Sequence, residues 1–264
     1  MADDGTPRAT PNRFADAVGP ASDGPSQDRC DCLGLRTGTP PTTTSFHRDR
    51  QDVTAAGWLR LLRLVDEAAA DGRAEFAPFT GMSAAERRQV VTLPAAIAKL
   101  TAVKRLVLYG TNLVRVPPEI GAMSSLEVFD PYTSYRLHWY PYELTRCARL
   151  ANSTVSTRAL YGNFKFRPPF PALRPVTEAG RADLAALDPG VWGATAVRTC
   201  SVCDGPVREL RQVWISGRVG TDVLPLLVNA CSAACVAALP EPARDHVPTH
   251  HTGGPDVVQP DAGW

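Results

Sequence analysis

The sequence predicts an α/β chain. It should hold a short stack of repeating strand-and-turn coils, with helices ahead of the stack and a small cysteine-rich module behind it. Two observations carry that expectation. Apolar residues recur on a fixed period within residues 93–170, and four cysteines stand in two short-spaced pairs within residues 196–240. A third, the near absence of apolar periodicity before residue 53, sets the folded part off from a disordered N-terminal head.

Length and charge set the outer limits. At 264 residues the chain can hold one or two domains, with an ordinary folded-protein composition. Lys and Arg number 28 against 27 Asp and Glu, a net charge of +1. That balance gives no broad attraction to nucleic acid or to an anionic membrane, so neither is an expected partner. No apolar run has the length of a membrane span, and MADDGTPRAT lacks the basic and apolar regions of a secretory signal. The expected location is cytoplasmic. There the seven cysteines stay reduced, which favours metal binding over disulfides.

Residues 1–52 are rich in Pro, Gly, Thr and Asp and are expected to form the disordered head. Cys30 and Cys32 lie inside it and are expected to be exposed thiols. Residues 53–92 should form a helical N-terminal cap. Trp58, Leu61, Leu62, Val65, Ala68 and Ala69 follow the i, i+3, i+4, i+7 spacing of an amphipathic helix, which Asp71-Gly72 ends. Ser83 and Glu86 have the spacing of a capping box and should open a second, shorter helix.

The repeats occupy residues 93–170. Ile97, Leu100, Val103 and Leu106 return 23 residues later as Ile120, Met123, Leu126 and Phe129. Leu93-Pro94 returns as Val116-Pro117. A third, looser copy, one residue longer, runs through Leu144, Cys147, Leu150 and Ser153, which makes Cys147 a core residue. A period in the low twenties with this character is the signature of leucine-rich repeats, which predicts a short solenoid with a strand over Val103–Leu108. One coil cannot bury its own apolar side, so the units stand or fall together. Residues 171–195 should form a connector and residues 241–264 an irregular, solvated tail.

In the module at 196–240, Cys200-Ser-Val-Cys203 precedes two apolar runs, Val213-Trp214-Ile215 and Val223–Val228, joined by a glycine-containing turn. Ser232 is a suitable N-cap for a helix that carries Cys231 and Cys235 on one side of its start. Four thiolates in two short-spaced pairs suit tetrahedral zinc, and a closed four-sulfur site has no place for an activated water. Cys200, Cys203, Cys231 and Cys235 are therefore expected to hold a structural Zn2+. The competing readings are four ordinary buried cysteines, a redox pair at Cys200 and Cys203, and a heavy-metal sensor.

No P-loop, nucleophile-elbow or H-E-x-x-H motif is present, and no catalytic residue is assigned. The densest aromatic stretch, Tyr135 to Tyr142, lies beside the predicted strands. Tyr109, Tyr132, Tyr135, Arg136, His138 and Trp139 could form a face for a protein partner, because Tyr, Trp and Arg dominate interface hot spots. They could equally fill a core where the third repeat lacks leucines. The expected function is non-enzymatic protein binding. The alternative is a metal- or nucleic-acid-responsive regulator acting through the finger, where Arg198, Arg208, Arg211 and Arg218 are offset by Asp204, Glu209 and Asp222.

The knuckle CSVC, the two apolar runs and CSAAC in that order resemble a treble-clef zinc finger, more narrowly the TRASH type. The stretches TLPAAIAKLTAVKRLVLYGTNLVRVPPEIG and CSVCDGPV through LLVNACSAACVAALP resemble bacterial leucine-rich-repeat proteins of undefined activity. The resemblance implies the solenoid and the zinc module and says little about function. One bacterial repeat group carries a C-x-D ubiquitin-ligase site, and no cysteine here has Asp at that spacing.

Overall fold

A computed structural model describes residues 44–156, 169–179 and 182–260. Cys30, Cys32 and most of the expected head lie outside those residues. Helix α1, Ala56–Asp71, buries Leu61, Val65 and Ala68 on one side, and Gly72 at φ 64° returns its N–H to Ala68 O. Helix α2, Ala84–Arg88, is opened by Ser83. The Ser83 hydroxyl accepts from Glu86 N while the Glu86 carboxylate accepts from Ser83 N, so the capping box is formed at both ends.

Four short strands then build one parallel sheet. They are β1 (Glu75–Phe76), β2 (Arg105–Val107), β3 (Val128–Asp130) and β5 (Asn152–Ser153), in that spatial order. Arg105 stands opposite Val128 and Leu106 opposite Phe129, each 23 residues on. Val128 stands opposite Asn152, which places the third copy's extra residue between these two strands. The three connections between successive strands each hold a 3-10 turn, at Ala95–Lys99, Pro118–Ala122 and Tyr142–Arg146. Extended Pro94, Pro117 and Pro141 precede the three turns, because a proline ring fixes φ and has no N–H to lose at a helix start.

The side chains between strand and turn make one apolar column. Ile97, Leu100, Val103 and Leu106 stack on Ile120, Met123, Leu126 and Phe129, all at most 1% exposed. Leu144 and Cys147 continue it. Burial pushes the Cys147 thiol up to about 11, and its S–H donates to Ile120 O at 3.3 Å, so this cysteine acts as a core residue. Leu150 is only partly buried. The Tyr140 ring meets Phe129 edge-on at 5.9 Å and fills the gap.

Beyond the third coil, β4 (Tyr140–Pro141) pairs in parallel with β7 (Asp222–Ala230), which pairs antiparallel along nine residues with β6 (Arg211–Val219). Ile215, Leu224, Leu226, Val228 and Cys200 share one core with the coils. The turn of this hairpin rests on β5. Gly220, at φ 56°, lies so close that a Cβ there would stand 2.8 Å from the Asn152 carbonyl carbon. The Thr221 hydroxyl donates to Ser153 O at 2.9 Å and accepts from Ser153 N at 3.2 Å.

Two expectations need correction. The ordered chain begins before residue 53, because residues 44–52 form a strap across the coils and the hairpin. Phe46 packs edge-on to Trp139 at 4.9 Å and stacked on Trp214 at 5.8 Å. Buried Arg115 donates to the carbonyls of His47 and Asp49, and Arg136 pairs with the Asp49 carboxylate at 2.9 Å. The tail after residue 240 is irregular but not solvated throughout. His246 and Val247 are buried, His251 exchanges backbone hydrogen bonds with Trp214, and its ring meets Phe170 at 4.6 Å. These contacts make a second core of Phe46, Trp139, Phe170, Leu173, Trp214, Leu227 and Val247. The connector holds α3 (Val176–Ala179) and α4 (Pro189–Trp192), around a small cluster of Leu187, Trp192, Val197 and Leu210. No helix among the described residues is long and apolar enough to cross a membrane.

Phe46 is the strap's apolar anchor. Phe46→Ala should destabilise the protein by about 3 kcal/mol, the usual cost of emptying a buried aromatic site. The urea unfolding midpoint will show it as a shift at unchanged slope.

Candidate metal centre

The first cysteine pair lies on a tight knuckle. Cys200 N donates to Gly205 O at 2.8 Å and Asp204 N to Cys200 O at 3.1 Å, with Asp204 in the left-handed region at φ 60°. This folding turns backbone N–H groups onto the first sulfur. Cys200 Sγ accepts from Val202 N at 3.4 Å and from Cys231 N at 3.3 Å. The second pair sits where β7 runs into helix α5 (Ala233–Ala237), whose N-cap Ser232 accepts from Cys235 N at 3.1 Å. The order of knuckle, hairpin and short helix is the one the sequence predicts.

The four sulfurs lie within 4.8 Å of one another. Cys203 Sγ is 3.7 Å from Cys231 Sγ, which is 3.5 Å from Cys235 Sγ. A tetrahedron of thiolates at the usual zinc–sulfur distance has an edge of about 3.8 Å, so the spacing suits one shared ion. The donor set therefore fits a metal. It does not fit four ordinary buried cysteines, because Cys203 is exposed and only Cys200 of the four is fully buried.

The electrostatics agree. Burial pushes the Cys200 thiol up, but N–H donors from Cys203, Val202 and Cys231 outweigh it and bring the value down to about 7. Cys231 is pushed up to about 12, first by Cys235 and then by Cys203, which compete with it for negative charge. Negative charges on sulfurs this close oppose one another. A bound cation removes that conflict.

Around the knuckle the structure adds residues that sequence spacing does not mark. Arg146 pairs with Asp204 at 2.6 Å and donates to Ser201 O at 2.7 Å. Glu143, buried on the same turn, is hydrogen-bonded to the Ser201 side chain, and burial raises its pKa. Neither lies near a cysteine of the module in sequence.

The six-residue aromatic face is only partly a surface. Tyr132 and Tyr135 are 46% and 43% exposed, and the rings of Tyr109 and Tyr132 lie 5.6 Å apart on successive coils. His138 and Trp139 are 1% and 3% exposed and cannot meet a partner. Trp139 is drawn into the second core by Phe46 and Trp214, and His138 lies against His47 with its Nε2 at Tyr135 O. Arg136 is held between Asp49 and Asn112. The expected face thus reduces to the three tyrosines. No family model matches the chain, and no curated protein matches it.

In the metal-free protein the shifted thiols of the centre set opposite slopes, Cys200 against Cys203 and Cys231. The stability that Cys200 contributes is lost as pH falls through about 7, while the penalty from Cys231 grows as pH rises from 9.0 toward about 12. Urea midpoints of the metal-free protein should rise between pH 7 and 9 and fall above it.

Proposed function

We propose that this chain is a non-enzymatic binding protein. A short leucine-rich-repeat solenoid presents Tyr109, Tyr132 and Tyr135 to a protein partner, and a zinc-stapled, treble-clef-like module closes its C-terminal side. One observation carries the reading. Two large aromatic side chains, Tyr132 and Tyr135, stay exposed beside a third on the neighbouring coil. Neighbouring exposed rings leave contiguous apolar area for a partner to cover, and tyrosine is favoured at interface hot spots. Flanking charges are already paired, Lys104 with Glu127 and Arg105 with Glu75, so this side carries little net charge. That suits a partner with apolar or aromatic anchors better than nucleic acid. In the cysteine module Arg198 is paired with Glu119 and Arg211 with Glu209, which weakens the reading of a nucleic-acid-responsive regulator.

Zinc is the ion the four thiolates suit best, and full occupancy by sulfur leaves the metal a structural role. Purified protein should contain one equivalent of zinc. Cys231→Ser should lose the zinc and lower the melting temperature, whereas a metal-free wild type that melts unchanged would remove the stapling role.

The binding face is tested by photo-crosslinking from position 135 and, for comparison, from exposed Leu59 on α1. A partner should be captured from position 135 alone and lost with Tyr132→Ala. Equal capture from both sites, or none from position 135, would refute the face.

A further inference from the structure

We infer that Arg146 is the positioning residue of the metal centre. It holds the first cysteine knuckle in its ligating shape from the neighbouring coil, so that metal loading and the seating of that knuckle on the coils are one equilibrium. The inference rests on the metal reading of the four cysteines and adds what regulates that site.

The shortest hydrogen bond from Arg146 to the backbone falls on the peptide group that also supports a ligand sulfur. Ser201 O accepts from Arg146 Nη2 at 2.7 Å. The N–H of the same peptide, on Val202, donates to Cys200 Sγ at 3.4 Å. Arg146 thus fixes and polarises the amide that supports a ligand sulfur, because a peptide held at its oxygen by a cation presents a fixed and stronger donor at its nitrogen. The same guanidinium reaches Cys200 O at 3.4 Å and pairs with Asp204 at 2.6 Å. Asp204 is the residue whose left-handed backbone closes the knuckle. Three anchor points on one planar fork leave the knuckle little freedom to turn.

A second side chain of the same turn acts on the same residue. Glu143 is buried and hydrogen-bonded to Ser201, whose hydroxyl accepts from Asn229 N at 2.9 Å, while Ser201 N donates to Asn229 O. The turn Tyr142–Arg146 therefore grips the knuckle from one side and β7 holds it from the other. Outer partners of this kind orient the ligands, and losing one costs about ten- to a hundredfold in metal affinity. By reciprocity, a bound ion strengthens the grip of Arg146 on the knuckle by the same factor.

The test uses the full chain with Zn2+, competed against a chromogenic chelator, and Co2+ as a spectroscopic probe of the thiolate shell. Arg146→Met should weaken Zn2+ binding about ten- to a hundredfold. It should also shift the cobalt–thiolate absorption. Arg146→Lys, which keeps the charge but not the fork, should recover part of both. Arg149→Met, exposed and outside this network, should match wild type. Asp204→Asn keeps a residue that tolerates left-handed backbone and should move affinity and spectrum in the same direction as Arg146→Met, which covers the case in which that variant does not fold. Wild-type affinity and spectrum in Arg146→Met or Asp204→Asn would overturn the inference while leaving the metal site standing. A wild-type protein that binds neither ion would instead overturn the metal reading and this inference with it.

Discussion

A coil with one apolar edge is stable only while something apolar covers that edge, and the molecule is arranged around this need. The column from Ile97 to Phe129 covers its own length, but it has two ends that also need apolar cover. Helix α1 lays Leu61, Val65 and Ala68 on one end. The β6–β7 hairpin lays Leu224, Leu226 and Val228 on the other, in the same continuous core. The cysteine module is therefore no appendage joined by a linker. Its knuckle and helix close the outer rim of the hairpin, and Cys200 belongs to the same core as the column.

The strap adds a second tie, of different chemistry. Phe46 joins Trp139 of the coils to Trp214 of the hairpin, while charged groups bind the backbone beside it. Arg115 is buried deeply enough to lower its pKa to about 10, yet it stays charged at neutral pH and gives its guanidinium to two main-chain carbonyls. Asp49 feels burial that would raise its pKa, but the hydrogen bond and charge of Arg136 outweigh it and hold the carboxyl below its ordinary value. Cations on the coils thus meet carbonyls and one carboxylate on the strap, with an aromatic cluster sealing the junction.

The legible parts of this sequence were those fixed by local spacing. The 23-residue step shows because each coil must offer its neighbour the same inward residues, and the cysteine pairs show because four sulfurs must reach one point. Contacts between segments far apart left no such trace. Phe46 and His47 sit in a stretch whose composition suggests disorder, and their partners lie in Trp139, His138 and Trp214. Aromatic density at 135–142 could not separate core from surface, since the same residue types serve both, and the structure divides them between exposed Tyr135 and buried Trp139. Arg146 gave no signal at all. Its role depends on a carbonyl 55 residues away.

The seat of the hairpin turn on β5 has a further consequence. The last rung of a parallel ladder presents unmatched N–H and C=O groups, and such a rim can template the addition of a strand from another molecule. Here both main-chain groups of Ser153 are taken by one hydroxyl, Thr221, and Gly220 lies too close to Asn152 for anything to slide between. Among the described residues, the hairpin turn is what caps this end of the ladder. Strand-by-strand polymerisation from that edge is blocked by a single turn, and the absence of a side chain at residue 220 is what lets the turn come close enough to do it.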